Sequence, residues 1–390
     1  MGWCVVWHRG GMRVGGAAVV SALLLMAACT GELPPPEPEL KTVTLPPVAP
    51  SPEPDPDVFP GKRWSRDDGG SFGAYDRALD AAGSTCVAVI KDGKLVHDAY
   101  WDGAGERSTR ASYSITKSVT AILIGIAADE KSLDLDDPAA DYIREWQSTA
   151  AEEVTIRDLL SNSSGRHWDY DTDYGQMIRQ AVDKSAFAIG LGQAAEPGEV
   201  WAYNNSAVQT LEVVLEEATG MDVIDYARRR LFDPLGLRDT TWARDAAKNP
   251  TTYSGIDSSC LDLARLGLLM MRDGEWHGQQ IVSKAFVDEA TGRSSTALNA
   301  AYGLLWWVNK PGRVVEVLRA AGFPSDKPPY DGQLAPGVPK DAFWALGYGN
   351  EYVAVVPSKG IVAVRLGARP ATPDLLTYEG FTRGAIDGAS

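Results

Sequence analysis

SITKSVTAILIGIAA, residues 114–128, joins a Ser-x-x-Lys pair to an unbroken apolar run. It is the one place in the chain where a serine is followed three residues on by a lysine at the head of such a run. The spacing predicts a helix, on which positions i and i+3 share a face about one turn apart, so the Lys117 amine can approach the Ser114 hydroxyl. Val119 to Ala128 carries no charge, so this helix emerges from an apolar interior. A desolvated lysine loses its charge and can accept a proton. A serine in the first helical turn lies beside unbonded backbone N–H groups and the positive end of the helix dipole. Together they describe an activated nucleophile. An N-terminal serine beside a solvated lysine spells the same four letters, so the pair needs support from elsewhere in the chain.

Working outward toward the N-terminus, the sequence stops looking like a folded core. Val14 to Ala28 (VGGAAVVSALLLMAA) follows Arg9 and Arg13, ends at Cys29, and is shorter than the about 20 residues that span a bilayer. Residues 1–28 therefore read as a signal peptide. Met-Ala-Ala-Cys resembles a bacterial lipobox, with Met26 where leucine is usual, which makes Cys29 the candidate lipidated residue; cleavage as an ordinary secretory signal is the alternative. Residues 29–64 are dense in proline and nearly free of aromatics, the composition of an extended tether. The folded domain is expected over 65–390, on the outer side of the cytoplasmic membrane, as a cell-envelope lipoprotein or a secreted protein.

The formal charge of −15 argues against nucleic acid or an anionic membrane surface as a partner, leaving a lipid anchor as the only expected membrane link. Outside the leader stand Cys86 and Cys260, which form one disulfide in an oxidising compartment or remain two buried thiols. With no CxxC, no HExxH and three histidines beyond the leader, His97, His167 and His277, neither a metal nor another cofactor is expected.

Thr85 to Trp101 reads as two strands around Asp92-Gly93, a strong hairpin signal, preceded by a helix over Ser71 to Ala82. Glu351 to Pro357 and Gly360 to Leu366 read as a second strand pair. Between them, Thr155–Leu160, Ala207–Thr219, Asp222–Leu231 and Cys260–Arg272 have helical periodicity. The fold class is thus α+β: an antiparallel sheet built from both chain ends and flanked by helices, with a mainly helical lobe inserted. Residues 311–345, rich in Pro and Gly, are read as one long loop.

Gly69-Gly70-Ser71-Phe72-Gly73 has the letters of a nucleophile elbow but lacks the preceding buried strand that such an elbow needs. A Ser-His-Asp triad would require a histidine, and His167, in SSGRHWDY, is the one with a claim to the cleft. A second constellation is PGEVWAYNN, residues 197–205. Its Tyr203 and Asn205 follow a Pro-Gly turn and precede a helix, so both can face a cleft, and a tyrosine beside a cation can act as a base.

SYSITKS at 112–118, TIRDLLSNSSG at 155–165, PGEVWAYNN at 197–205, LFDPLGL at 231–237, CLDLARLGLLMMRDGEW at 260–276 and GYGNEYVAVVP at 347–357 follow one another in a telling order. In that order and spacing the chain resembles the serine β-lactamase-related hydrolases over about residues 70–370. The branch contains class C β-lactamases, D-alanyl-D-alanine carboxypeptidases, esterases of β-lactamase fold and nylon-oligomer hydrolases. The resemblance implies a β-lactamase/transpeptidase-like fold with Ser114 acylated, Lys117 helping to deprotonate it and Tyr203 passing the proton to the leaving group. It implies Asn205 as the residue that orients a substrate amide or carbonyl. No Lys-Thr-Gly triplet precedes the last strand pair; Ala345-Leu346-Gly347-Tyr348-Gly349-Asn350 stands there. It resembles the glycine-rich version of esterase-like relatives, in which a backbone N–H, of Gly347 or else Gly349, completes the oxyanion hole. Trp168, Trp306, Trp307 and Tyr348 are candidates for an apolar cleft wall. The expected activity is hydrolysis of a small ester, amide or peptide-like substrate. The rivals are a penicillin-recognising carboxypeptidase or β-lactamase, and a cell-envelope sensor that is acylated without turnover.

Overall fold

Asp92 and Gly93 take left-handed backbone angles, φ 50° and 90°, the requirement of a tight hairpin turn. They join β1 (Ser84–Lys91) to β2 (Lys94–Tyr100). The computed structural model describes residues 60–390 except 62, 68, 323–327 and 370–375. The expected leader, Cys29 and nearly all of the tether lie outside the described residues.

Four strands from the far end of the chain complete the sheet: β3 (Trp307–Val308), β4 (Phe343–Gly347), β5 (Glu351–Val356) and β6 (Ile361–Gly367). Their order is β2-β1-β6-β5-β4-β3, antiparallel throughout. The first hairpin therefore docks on the last strand, with Cys86 opposite Leu366 and Lys91 opposite Ile361. Both β5 and β6 are buried along their whole length, which explains their near-continuous Val, Ala and Ile content.

Helices cover both faces. On one side lie α1 (Gly73–Ala81) and the C-terminal Tyr378–Gly388, whose Phe381 ring sits 5.3 Å from Tyr352 of β5. On the other lies Cys260–Met271, held close by Gly267: a Cβ there would meet Val362 at 2.5 Å and Val353 at 3.1 Å. The apolar run 115–127 forms α2 (Ile115–Asp129), and every residue from Ile115 to Ala127 is buried. It packs against β4 and β5 and against the inserted helices, so it is apolar all round rather than striped.

Two expectations need correction. Residues 311–345 are not one loop: they contain a small hairpin, Gly312–Val314 with Tyr330–Gly332, and most of β4. FWALG is short, uniformly apolar and framed by Pro and Gly, so its strand character comes from pairing with β3 and β5 rather than from local alternation. The helix read over Ala207–Thr219 is two, Asn205–Gln209 and Leu211–Thr219, joined at Thr210, whose hydroxyl bonds the Ala207 carbonyl.

Cys86 on β1 and Cys260 at the head of its helix are bonded, with Cα atoms 6.3 Å apart and a sequence separation of 174. The bridge ties the first hairpin to the helix across the sheet. Replacing both by alanine is expected to lower stability by about 2–4 kcal/mol. Chemical denaturation of the double variant checks this, with its midpoint falling well below that of the unreduced parent.

Candidate active site

Tyr113 has φ 48°, a strained value for a tyrosine, and the turn it makes places Ser114 at the N-cap of α2. The N–H groups of Ile115, Thr116 and Lys117 bond back to the carbonyls of Ser112, Tyr113 and Ser114. That turn does not use the Ser114 N–H, which stays beside its own hydroxyl at the positive end of the helix.

Lys117 is 1% exposed. Its amine reaches Ser114 Oγ at 2.9 Å, Asn205 Oδ1 at 2.6 Å and the Tyr253 carbonyl at 2.9 Å, and it lies 4.7 Å from the centre of the Tyr203 ring. Burial pushes the amine down to about 7, against the opposing pull of the Asp173 carboxylate. The orientation of Asn205 is fixed, because its Nδ2 donates to Asp173 Oδ2 at 2.6 Å and a carboxylate accepts only from a donor. Asn205 Oδ1 and the Tyr253 carbonyl are therefore obligate acceptors. When the lysine loses a proton, its two remaining N–H bonds stay on them and its lone pair faces the Ser114 hydroxyl. Among these three partners only the Ser114 hydroxyl carries a proton that a neutral Lys117 could accept.

Tyr203 is 6% exposed and its phenol interacts with the Ser114 side chain. Burial pushes its phenol well up, with Ser114 opposing. Beneath it lie Trp307 at 5.8 Å and Tyr302 at 6.1 Å between ring centres. Its backbone is set by the SNSSG loop: Asn162 takes the Asn204 N–H on its side chain at 3.1 Å and the Ala202 N–H on its carbonyl at 3.0 Å. Asn204 caps the helix at Asn205 by accepting the Ala207 N–H at 2.8 Å, and donates Nδ2 to the Arg166 and His167 carbonyls.

Gly347 ends β4 against this nucleophile turn, where a Cβ would run into the Ser112 carbonyl and lie 2.8 Å from Glu351 Cβ. Tyr348 is half-exposed and packs edge-on to Tyr113 at 5.6 Å, and Gly349 takes φ 88°. The strand end at 347–349 is thus pressed onto residues 112–113.

The structure brings Ser114, Lys117 and Asn205 into one hydrogen-bonded cluster with the Tyr203 ring beside it. His167 joins it only through its carbonyl; its ring is bonded to Asp169 at 2.8 Å. His97 stacks on Phe72 at 4.2 Å and bonds Asp76, and the Ser71 N–H donates to the Gly388 carbonyl, so neither belongs to the site. Trp306 is core against Phe343 and Trp307 underlies Tyr203, so neither forms an open cleft wall. Sequence reading missed Asp173, 1% exposed, whose carboxylate also takes the Asn205 N–H at 3.2 Å and the Ser206 N–H and hydroxyl at 2.8 and 2.7 Å. It missed Tyr174, hydrogen-bonded with Asn205. Asp173 lies among Asp169, Asp171 and three aromatics in WDYDTDY, and nothing local distinguishes it from the other two acids.

A family model described as Beta-lactamase matches residues 72–380. Penicillin-binding protein 4 of Amycolatopsis lactamdurans is 29% identical over 306 residues, covering 72% of this chain and 79% of its own. The 6-aminohexanoate-dimer hydrolase of Paenarthrobacter ureafaciens is 22% identical over 261 residues, 60% of this chain and 66% of its own. A Bacillus anthracis structure provisionally named 6-aminohexanoate-dimer hydrolase superposes over 86% of this chain and 89% of its own, with a TM-score of 0.67 at 20% identity.

Because only the neutral lysine accepts a proton, phosphonylation of Ser114 by a fluorophosphonate is expected to accelerate as pH rises through about 7 and then level off. The Asp173 charge favours protonated Lys117, so Asp173→Asn is expected to move that limb to lower pH while weakening the hold on Asn205. Labelling rates across pH 5–9 for both proteins check the limb and the direction of its shift, pH values chosen to bracket the lysine.

Proposed function

This chain belongs to the beta-lactamase family, and from that premise we propose that it is a serine hydrolase that opens an ester or amide through an acyl-enzyme on Ser114. The observation that carries the reading is the Lys117 amine, whose two other partners can only accept and which therefore has one outlet for its lone pair, the Ser114 hydroxyl. In the proposed cycle Ser114 Oγ attacks the carbonyl carbon as its proton passes to the Lys117 and Tyr203 pair. The Ser114 N–H and an N–H at the Gly347 end of β4 hold the oxyanion, each worth roughly 2.7–4 kcal/mol in the transition state. Tyr203, kept protonated by burial, gives its proton to the leaving group. Water then attacks the ester carbonyl, and Ser114 leaves with a proton returned through the same pair.

The half-exposed tyrosines 113, 170 and 348 border this region, with Tyr170 stacked on Tyr174 at 4.9 Å. They favour a substrate with an apolar or planar group beside the scissile bond. The missing Lys-Thr-Gly lysine disfavours β-lactams and carboxylate-ended peptides. A second reading, acylation by a β-lactam, is favoured by the relative named as a penicillin-binding protein. We place the mature protein outside the cytoplasm, anchored by lipid on Cys29 and spaced from the membrane by the proline-rich tether.

Mass spectrometry after fluorophosphonate treatment is expected to find the adduct on Ser114 and none in Ser114→Ala; an adduct on Ser71 would overturn the assignment. Tyr203→Phe is expected to lose about 10²- to 10⁴-fold in kcat on short acyl esters, and full activity would remove the proposed shuttle. A chromogenic cephalosporin separates the two readings, since rapid turnover favours the second and slow or absent acylation the first. Cys29→Ser is expected to release the protein from the membrane fraction.

A further inference from the structure

Arg365 of β6 is fully buried, yet no step of the proposed cycle uses it. A guanidinium carries five N–H groups in a rigid fork. All five find acceptors: Nε donates to Ser84 Oγ at 2.9 Å, Nη1 to the carbonyls of Gly349 at 3.1 Å and Asn350 at 2.8 Å, and Nη2 to those of Ala82 and Ala368, each at 3.0 Å. Four of the five acceptors are main-chain carbonyls, so the side chain fixes backbone. Those on Nη1 belong to consecutive residues with φ 88° and 65°, in the turn that leaves Gly347. An L-residue such as Asn350 holds that conformation at a cost, and the surroundings must determine it.

A second tie runs through Glu351, the cross-strand partner of Gly347. Its buried carboxylate accepts the Gly367 N–H at 2.9 Å and lies 3.7 Å from Arg110 Nε, which itself donates to the Gly367 carbonyl at 3.0 Å. Both sides of the 347–351 turn are thereby fastened to the end of β6. The other face of the turn meets the nucleophile segment, with Gly347 on the Ser112 carbonyl and Tyr348 on Tyr113. Burying a guanidinium is unfavourable, and an apolar side chain of similar volume commonly serves stability as well or better. Stability of the sheet alone therefore does not call for an arginine here. Holding two carbonyls of a left-handed turn at a set place does.

We propose that Arg365 is a positioning residue for acyl transfer: by holding the Gly349 and Asn350 carbonyls it fixes the end of β4 against Ser112–Ser114, and with it the second oxyanion donor. The proposal rests on the acyl-enzyme reading and on this strand end supplying that donor. A donor displaced by a fraction of an ångström forfeits transition-state stabilisation while leaving the ground-state cleft nearly as it was. The signature is a loss in kcat with little change in KM. Lysine keeps the charge but, as a point cation with three donors, cannot span the five acceptors.

The test uses the full-length protein and a short acyl ester, at a temperature where circular dichroism shows each variant folded. Arg365→Lys is expected to lower kcat roughly 10- to 100-fold with KM within about two-fold of the parent. Arg265→Lys is the control. Arg265 is also buried, and its guanidinium binds the carbonyls of Pro60, Gly61 and Leu235, away from the turn. It is expected to lower the melting temperature and leave kcat unchanged. Should Arg365→Lys fail to fold, Ser84→Ala, which removes only the Nε acceptor, decides the matter, with an expected drop in kcat of about three-fold at constant KM. A folded Arg365→Lys with kcat within about two-fold of the parent, an equal loss in Arg265→Lys, or an unchanged kcat in Ser84→Ala serving as the fallback would each overturn the positioning role. A parent that takes up no fluorophosphonate on Ser114 and cleaves no ester overturns the acyl-enzyme reading, and the proposal with it.

Discussion

A primary amine held in an apolar interior is the constraint on which the rest of this molecule turns. In its proposed role Lys117 must be dry enough to give up a proton near neutrality and sufficiently hydrogen-bonded to be tolerated there. The first condition requires α2 to be buried on every side, so sheet and inserted helices must close over it. The second requires acceptors that cannot double as donors. The Tyr253 carbonyl is one by nature; Asn205 becomes one because the Asp173 carboxylate claims its amide. Asp173 is thus linked to Ser114 through two intermediaries, Asn205 and Lys117, and hydrogen-bonds neither the serine nor the lysine.

The same logic links motifs that lie far apart in the chain. The SNSSG loop makes no contact that the chemistry needs directly, but Asn162 and the neighbouring carbonyls hold the backbone of Ala202 and Asn204 on either side of Tyr203. Asn204, in turn, starts the helix that carries Asn205. At the opposite side, the absence of a side chain at Gly347 lets a strand end meet the Ser112 carbonyl. Each of these is a backbone-positioning device, and the positions they set are interdependent.

The α+β class, the first and last hairpins and the buried helix were legible because each is written locally, in an Asp-Gly turn, in dense β-branched runs and in a charge-free stretch headed by serine. Ser114, Lys117, Tyr203 and Asn205 were legible as a set. What stayed hidden depends on partners distant in sequence. FWALG becomes a strand only between β3 and β5. Asp173 is one acid among several until the fold selects it, and Arg365 reads as a stray charge in a strand until its five acceptors are seen together. The tryptophans misled for the reverse reason: an aromatic near a cleft motif is as readily its foundation as its wall, and Trp307 supports Tyr203 from below.

The sheet is closed by its two ends, β1 lying beside β6 and bridged by Cys86 to Cys260. The order of synthesis therefore matters to the chemistry. A growing chain has the Ser114 segment long before it has β4, β5 and β6, so the helix at 115–129 waits without the strands that bury it and without Gly347, the proposed second oxyanion donor. Pairings of such long sequence separation form slowly, after loop-closure entropy has been overcome. Until they form, Lys117 remains solvated and charged, and Ser114 is an ordinary hydroxyl. On the proposed reading, the acyl-transfer site is assembled only once the two ends of the sheet have paired.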